Sequence, residues 1–462
     1  MHYVSTRGAA PVLGFAEAMM AGLARDGGLY VPEAVPAMPA AAIAGLAGQP
    51  YEEVAFRVMR PFLGGAISDD DFRGIIAAAY APFAHPARAP LRQLAPGHFL
   101  LELFHGPTLA FKDFAMQLIG QLFAHHLARR GGRITIIGAT SGDTGSAAIE
   151  AFRGLPGVEV FILYPHGRIS EVQRRQMTTP AEPNVHALAL DGDFDAAQAR
   201  VKDLFNDHAF RDRVGLAAVN SINWARVLAQ TVYYFAAAVA LGAPQRPVSF
   251  TVPTGNFGDI YAGHVARAIG LPVVRLVIAT NQNDILHRAL TSGIYATAGL
   301  RASISPSMDI QVSSNFERAL FDAMGRDGAA VATLLAELKT TGAFAIPPGA
   351  LAALRAAFAS GRASEAETQA AIARSFAATG DLVCPHTAVG LHVAEAHLGA
   401  EPMVTLATAH PAKFPDAVAA ATGIRPALPA RLADLGDRPE RLTRVPDDMR
   451  ALQALILDRT GA

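Results

Sequence analysis

The spacing of apolar residues changes character once along the chain. Up to about residue 95 the sequence is Ala- and Pro-rich. Apolar positions recur at helical intervals around 14–24, 39–46 and 69–80, with little strict alternation. From about residue 98, short apolar runs rich in β-branched residues follow one another at 134–137, 158–163, 185–190, 248–252 and 273–278, and helical patterns such as 194–205 and 259–269 lie between them. Strand and helix units alternating at this length predict an α/β fold of mostly parallel sheets with helices on both faces. Two sheets are expected, one from about 131 to 220 and one from the segments flanking it. The expected organisation is a mainly helical N-terminal region at 1–96, a large α/β unit from 97–130 with 221–462, and a small α/β unit at 131–220. The stretch after about 425 reads only as mixed helix and loop.

Composition narrows the class. A chain of 462 residues exceeds one simple core, and 51% hydrophobic with 17% charged residues describes a globular enzyme-like protein. A net charge of −1 and the lack of a long basic run argue against nucleic acid as a partner. The single cysteine, Cys384, excludes an intrachain disulfide and reads as a small buried hydrophobe. The longest apolar run, 232–243, ends at Pro244, short of the roughly 18–20 residues a membrane span needs. No signal-peptide pattern opens the sequence. A soluble cytoplasmic protein is expected.

The candidate chemistry begins with what is rare. Lys and Arg together number 39, yet only Lys112, Lys202, Lys339 and Lys413 are lysine. Arginine serves as a surface cation but cannot supply a neutral nucleophilic amine, so a retained lysine is a candidate for covalent chemistry. Lys202 and Lys339 sit in ordinary amphipathic helix patterns, and Lys413 closes the run from Ala409. Lys112 lies in His105-Gly106-Pro107-Thr108-Leu109-Ala110-Phe111-Lys112-Asp113.

In open α/β sheets ligands bind beyond the carboxyl ends of strands, and three loops there are unusual. Gly138 to Ser146, containing Ser141, Asp143 and Thr144, joins a strand to a helix and offers N–H and hydroxyl groups to an anion. A tight strand-to-helix turn reads equally well. It is no P-loop, because Gly-Lys-Ser/Thr is absent. Gly255-Asn256-Phe257-Gly258-Asp259 could form a phosphate nest, with Asp259 fitting only as an N-terminal helix residue, or could simply be a helix cap. Asn220 to Arg226 places two amides and a guanidinium at the start of an apolar helix, where Arg226 could grip a phosphate or carboxylate, although a lone Arg there is usually just solvated. Trp224 reads as core packing. Two anion cradles and one privileged amine suit a phosphorylated cofactor that reacts with lysine, and pyridoxal 5′-phosphate is of that kind.

The ordered set of motifs resembles the threonine synthases, of the pyridoxal-phosphate fold type II group. It runs from Tyr3-Val4-Ser5-Thr6-Arg7-Gly8 and Gly22 to Pro32 through the stretches above. It continues to Ser314-Asn315-Phe316-Glu317-Arg318, Pro385 to Gly390 and Thr408 to Phe414. The resemblance implies two three-layer α/β/α domains with the cofactor in the cleft between them. It implies that Lys112 carries the covalent link to the cofactor, that Gly255 to Asp259 hold its phosphate, and that Thr408 faces the pyridine nitrogen. Ser141, Asp143 and Thr144 would meet the substrate carboxylate and the cofactor's 3′-oxygen, and Asn220 and Arg226 the substrate phosphate. Many fold type II enzymes have Asn where this chain has Asp143; the threonine synthase branch tends to have Asp. The implied reaction turns O-phospho-L-homoserine and water into L-threonine and phosphate, in a monomer or homodimer.

Rival readings are an O-phosphohomoserine phospholyase that releases 2-oxobutyrate, a dehydratase, and a non-catalytic phosphate-binding protein. A metalloenzyme is weaker, since the 15 histidines lack ligand spacing. His105, His386 and His410 read as structural or supporting residues.

Overall fold

The computed structural model describes residues 1–217 and 219–461. The apolar runs form two sheets. The larger has the strand order Ala359–Arg362, Val273–Thr280, Val248–Pro253, Met403–Ala407, His98–Glu102 and Leu91–Ala95. All neighbours are parallel except the last pair. Val248–Pro253 and Met403–Ala407 are buried at every position, as central strands covered on both faces must be, and this is why the 248–252 stretch reads as a mainly apolar run without strict alternation. The smaller sheet, all parallel, runs Thr443–Val445, Val185–Leu190, Val158–Pro165, Ile134–Ala139 and Leu216–Ala217.

Two segments depart from the expected division. Leu91–Ala95, placed with the N-terminal region, is the antiparallel edge of the large sheet, joined to His98–Glu102 by a turn in which Gly97 takes φ 76°. The C-terminal residues, placed with the large unit, belong against the small sheet. Thr443–Val445 pairs with Val185–Leu190, and the helix Met449–Thr460 buries Leu452 and Ile456 against Leu188 and Leu204. Both strands are half exposed and short, so neither carries the apolar run that marked the others.

The N-terminal region is largely helical. Tyr51–Met59 and Asp69–Tyr80, the latter capped by Ser68 Oγ accepting from the Asp71 N–H, pack toward Lys112–Arg130 and Trp224–Ala240. Tyr51, Tyr80 and Phe83 surround Phe114 with ring centroids 4.6–6.0 Å apart. This cluster fixes the helix that begins at Lys112. Trp224 is buried between Tyr3 and Phe62, and Cys384 is buried and free. Among the described residues no helix is long and apolar enough to cross a membrane.

Candidate active site

A cleft of about 490 Å³ is lined from both sheets. Lys112, Ser141, Thr144, Asn220, Arg226, Thr408 and Gly255 through Asp259 all face it. Asp143, also singled out in the sequence, sits just beneath, 3% exposed, and touches Lys112.

Lys112 opens the helix Lys112–Arg130. The preceding Phe111 donates its N–H to the Thr408 carbonyl at 2.8 Å, which docks the lysine beside the end of the strand Met403–Ala407. Its Nζ lies 3.5 Å from Asp143 Oδ2. Burial pulls the amine down to about 8, against the opposing pull of Asp143 and with help from the Arg226 and Lys413 charges. An amine so placed is a competent nucleophile and base near neutral pH.

The loop after Val248–Pro253 is built for an anion. Phe257 adopts φ 65° and ends the loop as an uncapped start to the helix Gly258–Ile269, so no side chain occupies the first-turn N–H groups from that position. The Gly255 carbonyl accepts from Ser313 Oγ at 2.6 Å, and the Asn256 carbonyl accepts from the Asn315 N–H and Nδ2 at 3.1 and 2.9 Å. Because the peptide is planar and trans, the N–H groups of Asn256 and Phe257 point the other way. This gives the Ser314 to Arg318 motif a physical purpose, since it grips the loop from behind. Gly255 is required, as a Cβ there would lie 2.8 Å from the Ser307 carbonyl oxygen. Asp259 does not oppose an anion. Its carboxyl turns back to accept from Tyr233 and Tyr234, and burial, partly offset by those hydrogen bonds, raises it to about 7.

The loop before Asp143–Phe152 has fewer free donors than the sequence promised. Thr140 Oγ1 accepts from the N–H groups of Gly142 and Gly145, each at 2.9 Å, so those two are spent within the turn. Ser141 and Thr144 remain on the cleft wall.

Arg226 lies in the first turn of Trp224–Ala240 and is 3% exposed. Among the described residues neither its Nε nor its Nη1 has a hydrogen-bond partner. Burial lowers the guanidinium to about 10. An unpaired cation aimed into a cleft is costly unless an anion arrives there. Together with the uncapped helix and the amine at Lys112, it fits a phosphorylated cofactor and a second phosphorylated ligand side by side.

Four residues of this region were not foreseen as site groups. Lys413, from the turn Pro411–Lys413, is fully buried and contacts Asp143. Gln173 donates to Asp143 Oδ1 at 2.9 Å and Ser307 Oγ to Oδ2 at 3.3 Å. Lys202 lines the mouth of the cleft from Phe194–Asn206, although its helix pattern looked ordinary. Only the two lysines carried a signal, their scarcity. His386 supports the site as read: its Nε2 accepts from the Ser307 N–H at 3.1 Å, and burial lowers it to about 4, keeping it neutral. His105 pairs with Glu102 at 2.7 Å, and His410 Nδ1 accepts from the Ala412 N–H. Among the described residues no cluster of three or more His, Cys, Asp or Glu is placed to hold a metal.

Three family models cover most of the chain: Threonine synthase N terminus at residues 2–80, Pyridoxal-phosphate dependent enzyme at 85–368, and Threonine synthase, C-terminal, at 387–456. A threonine synthase from Pseudomonas aeruginosa is 54% identical over 459 residues, covering 99% of this chain and 98% of that one. The crystal structure of a pyridoxal-phosphate-bound threonine synthase from Brucella melitensis superposes with a TM-score of 0.97 at 54% identity, covering 100% of both chains. That of yeast threonine synthase gives 0.93 at 39% identity, covering 100% of this chain and 99% of the other.

Proposed function

Since the chain belongs to the threonine synthase family of pyridoxal-phosphate-dependent enzymes, we propose that its cleft converts O-phospho-L-homoserine and water to L-threonine and inorganic phosphate. The observation that carries this reading is the buried, unpaired guanidinium of Arg226 facing the same cleft as the Lys112 amine. Pyridoxal 5′-phosphate is the cofactor and, when bound, supplies the electron sink for the substrate's amino-bearing carbon.

Lys112 is the attachment residue, and Gly255, Asn256, Phe257, Gly258 and Asp259 cradle the cofactor phosphate through backbone N–H groups. Thr408 would offer the cofactor's ring nitrogen a neutral hydroxyl, and Asp143 would serve its 3′-oxygen. Ser141 and Thr144 receive the substrate carboxylate. Asn220 and Arg226 hold its phosphate and stabilise the dianion as it departs from Cγ. Lys112, freed from its link once the substrate amine binds, would take one proton each from Cα and Cβ and return one to Cγ after the phosphate leaves and one to Cα, while water gives its hydroxyl to Cβ and its proton to the released phosphate. Residues 131–220, together with the C-terminal 443–460, form the substrate-side unit opposite the large cofactor-side unit. We read the protein as cytoplasmic and as a monomer or homodimer.

The test is substitution of Lys112 by Ala. Loss of both the cofactor's visible absorbance and turnover supports the assignment, whereas a variant that keeps its absorbance and full activity overturns it.

A further inference from the structure

Lys413 is a fully buried cation beside the cleft that the reaction itself does not use. Its side chain is 0% exposed, and its Nζ makes two contacts, with Asp143 Oδ1 at 2.8 Å and the Thr108 carbonyl at 2.8 Å. Thr108 is in turn tied to Asp113 through its N–H at 2.9 Å and its Oγ1 at 2.6 Å, one residue beyond Lys112. Lys413 therefore bridges the segment that carries Lys112 to the loop that carries Asp143.

Asp143 cannot stand there as a bare carboxylate. It is 3% exposed, and the neutral donors Gln173 and Ser307 reach one oxygen each. A buried anion needs a cation as well as hydrogen bonds. Lys112 is the other ammonium nearby, at 3.5 Å, but under the proposed function its nitrogen is committed to the cofactor or to proton transfer. Lys413 Nζ has no such second task, its contacts being Asp143 and the Thr108 carbonyl.

We propose that Lys413 is a positioning residue that, with Asp143, forms one buried charge-neutral pair, fixing the carboxylate beside Lys112 and offsetting its charge there. The charged and titratable groups facing Lys112 are Asp143, Arg226 and Lys413, with His386 across Asp143. Burial alone would push Asp143 up; Lys413 first and Lys112 second outweigh it and hold the carboxyl well below the usual range. The inference rests on the proposed function for the commitment of Lys112 and for the spectroscopic and turnover arms, while the melting comparison stands without it.

The experiment compares wild type, Lys413→Met, Asp143→Asn and the double variant, as holoenzymes and after cofactor removal. In the holoenzymes the visible band is titrated with pH. The midpoint is expected to rise by about one pH unit in Lys413→Met, to fall in Asp143→Asn, and to return near wild type in the double variant, because opposite charges act on Lys112 with opposite sign. Turnover is expected to drop at least about 100-fold in Lys413→Met and to recover at least about tenfold in the double variant. In the cofactor-free proteins, Lys413→Met is expected to melt below wild type, with the double variant regaining more than half of the loss. A Lys413→Met protein that does not fold beside a double variant that does supports the pair equally. Midpoints that do not move in opposite directions, or a double variant no better than the worse single one, overturn it. A wild type with no visible band overturns the proposed function instead, and the melting comparison still decides on the pair.

Discussion

Replacing Arg226 by Met should make the cofactor-free protein more stable while crippling the enzyme. Met keeps much of the buried volume and removes the charge. In the folded protein the guanidinium falls from 12.5 to about 10, chiefly through burial. At about 1.36 kcal/mol per pH unit this corresponds to roughly 3 kcal/mol. The folded value lies below the unfolded one, so the group is charged in both states below pH 10 and the full cost applies there. It fades only as pH rises from about 10 toward 12.5. Water in the open cleft recovers part of it, leaving about 1–3 kcal/mol as the expected gain on substitution, or on the order of 1–5 °C in melting temperature. The substrate phosphate would lose two charge-assisted hydrogen bonds of about 1.5–3 kcal/mol each, so kcat/KM should fall by about 10²–10⁴. Thermal melting at pH 7.5, with and without inorganic phosphate, and steady-state kinetics read both effects, and phosphate should stabilise wild type more than the variant. A variant that melts lower than wild type and turns over within tenfold of it would refute the reasoning.

Other outcomes follow from the same geometry. The rate at which cofactor-free protein captures pyridoxal phosphate should climb about tenfold per pH unit below 8 and level off above it, because Lys112 must be neutral to attack and is held at about 8; a rate still rising at pH 10 would mean an unperturbed lysine. Gly255→Ala, which drives a Cβ to 2.8 Å from the Ser307 carbonyl, should weaken cofactor binding by about 10–100-fold by equilibrium dialysis, since the cradle must open to admit it. Asp259 is raised to about 7, so its contribution is complete below the ordinary carboxylate range and is lost as pH passes 7. Asp259→Asn should therefore melt above wild type at pH 8, by on the order of 1–4 kcal/mol, with the gain shrinking at pH 5.

What the sequence made legible was governed by burial and by residue type. Val185–Leu190 was read to its ends because a parallel strand covered on both faces is apolar at nearly every position, here all but His186. Leu91–Ala95 and Thr443–Val445 escaped because edge strands show water one face and need little apolar patterning. The Gly255 to Asp259 loop stood out through glycines at a strand end, yet the orientation of Asp259 did not, since it depends on Tyr233 and Tyr234 some 25 residues earlier. Ser307 and Gln173 reach the site from the short 3-10 turn Pro306–Met308 and the first turn of the helix Glu171–Thr178, where nothing in composition distinguishes them. Lys413 left one trace, being a lysine where the chain prefers arginine, and only the three-dimensional path of a segment about 270 residues away brings it to Asp143 at 2.8 Å.

Lys112 and Arg226 line one cleft, where under the proposed function phosphate is released from, and water delivered to, the same substrate. The direct measurement is the absorbance spectrum of the purified protein, followed by addition of O-phospho-L-homoserine with threonine, 2-oxobutyrate and phosphate all assayed. A band at roughly 410–420 nm that shifts on substrate addition is expected, with threonine and phosphate formed in equal amounts. Phosphate accompanied by 2-oxobutyrate and ammonia in place of threonine, or no band after adding cofactor, would contradict the proposed function.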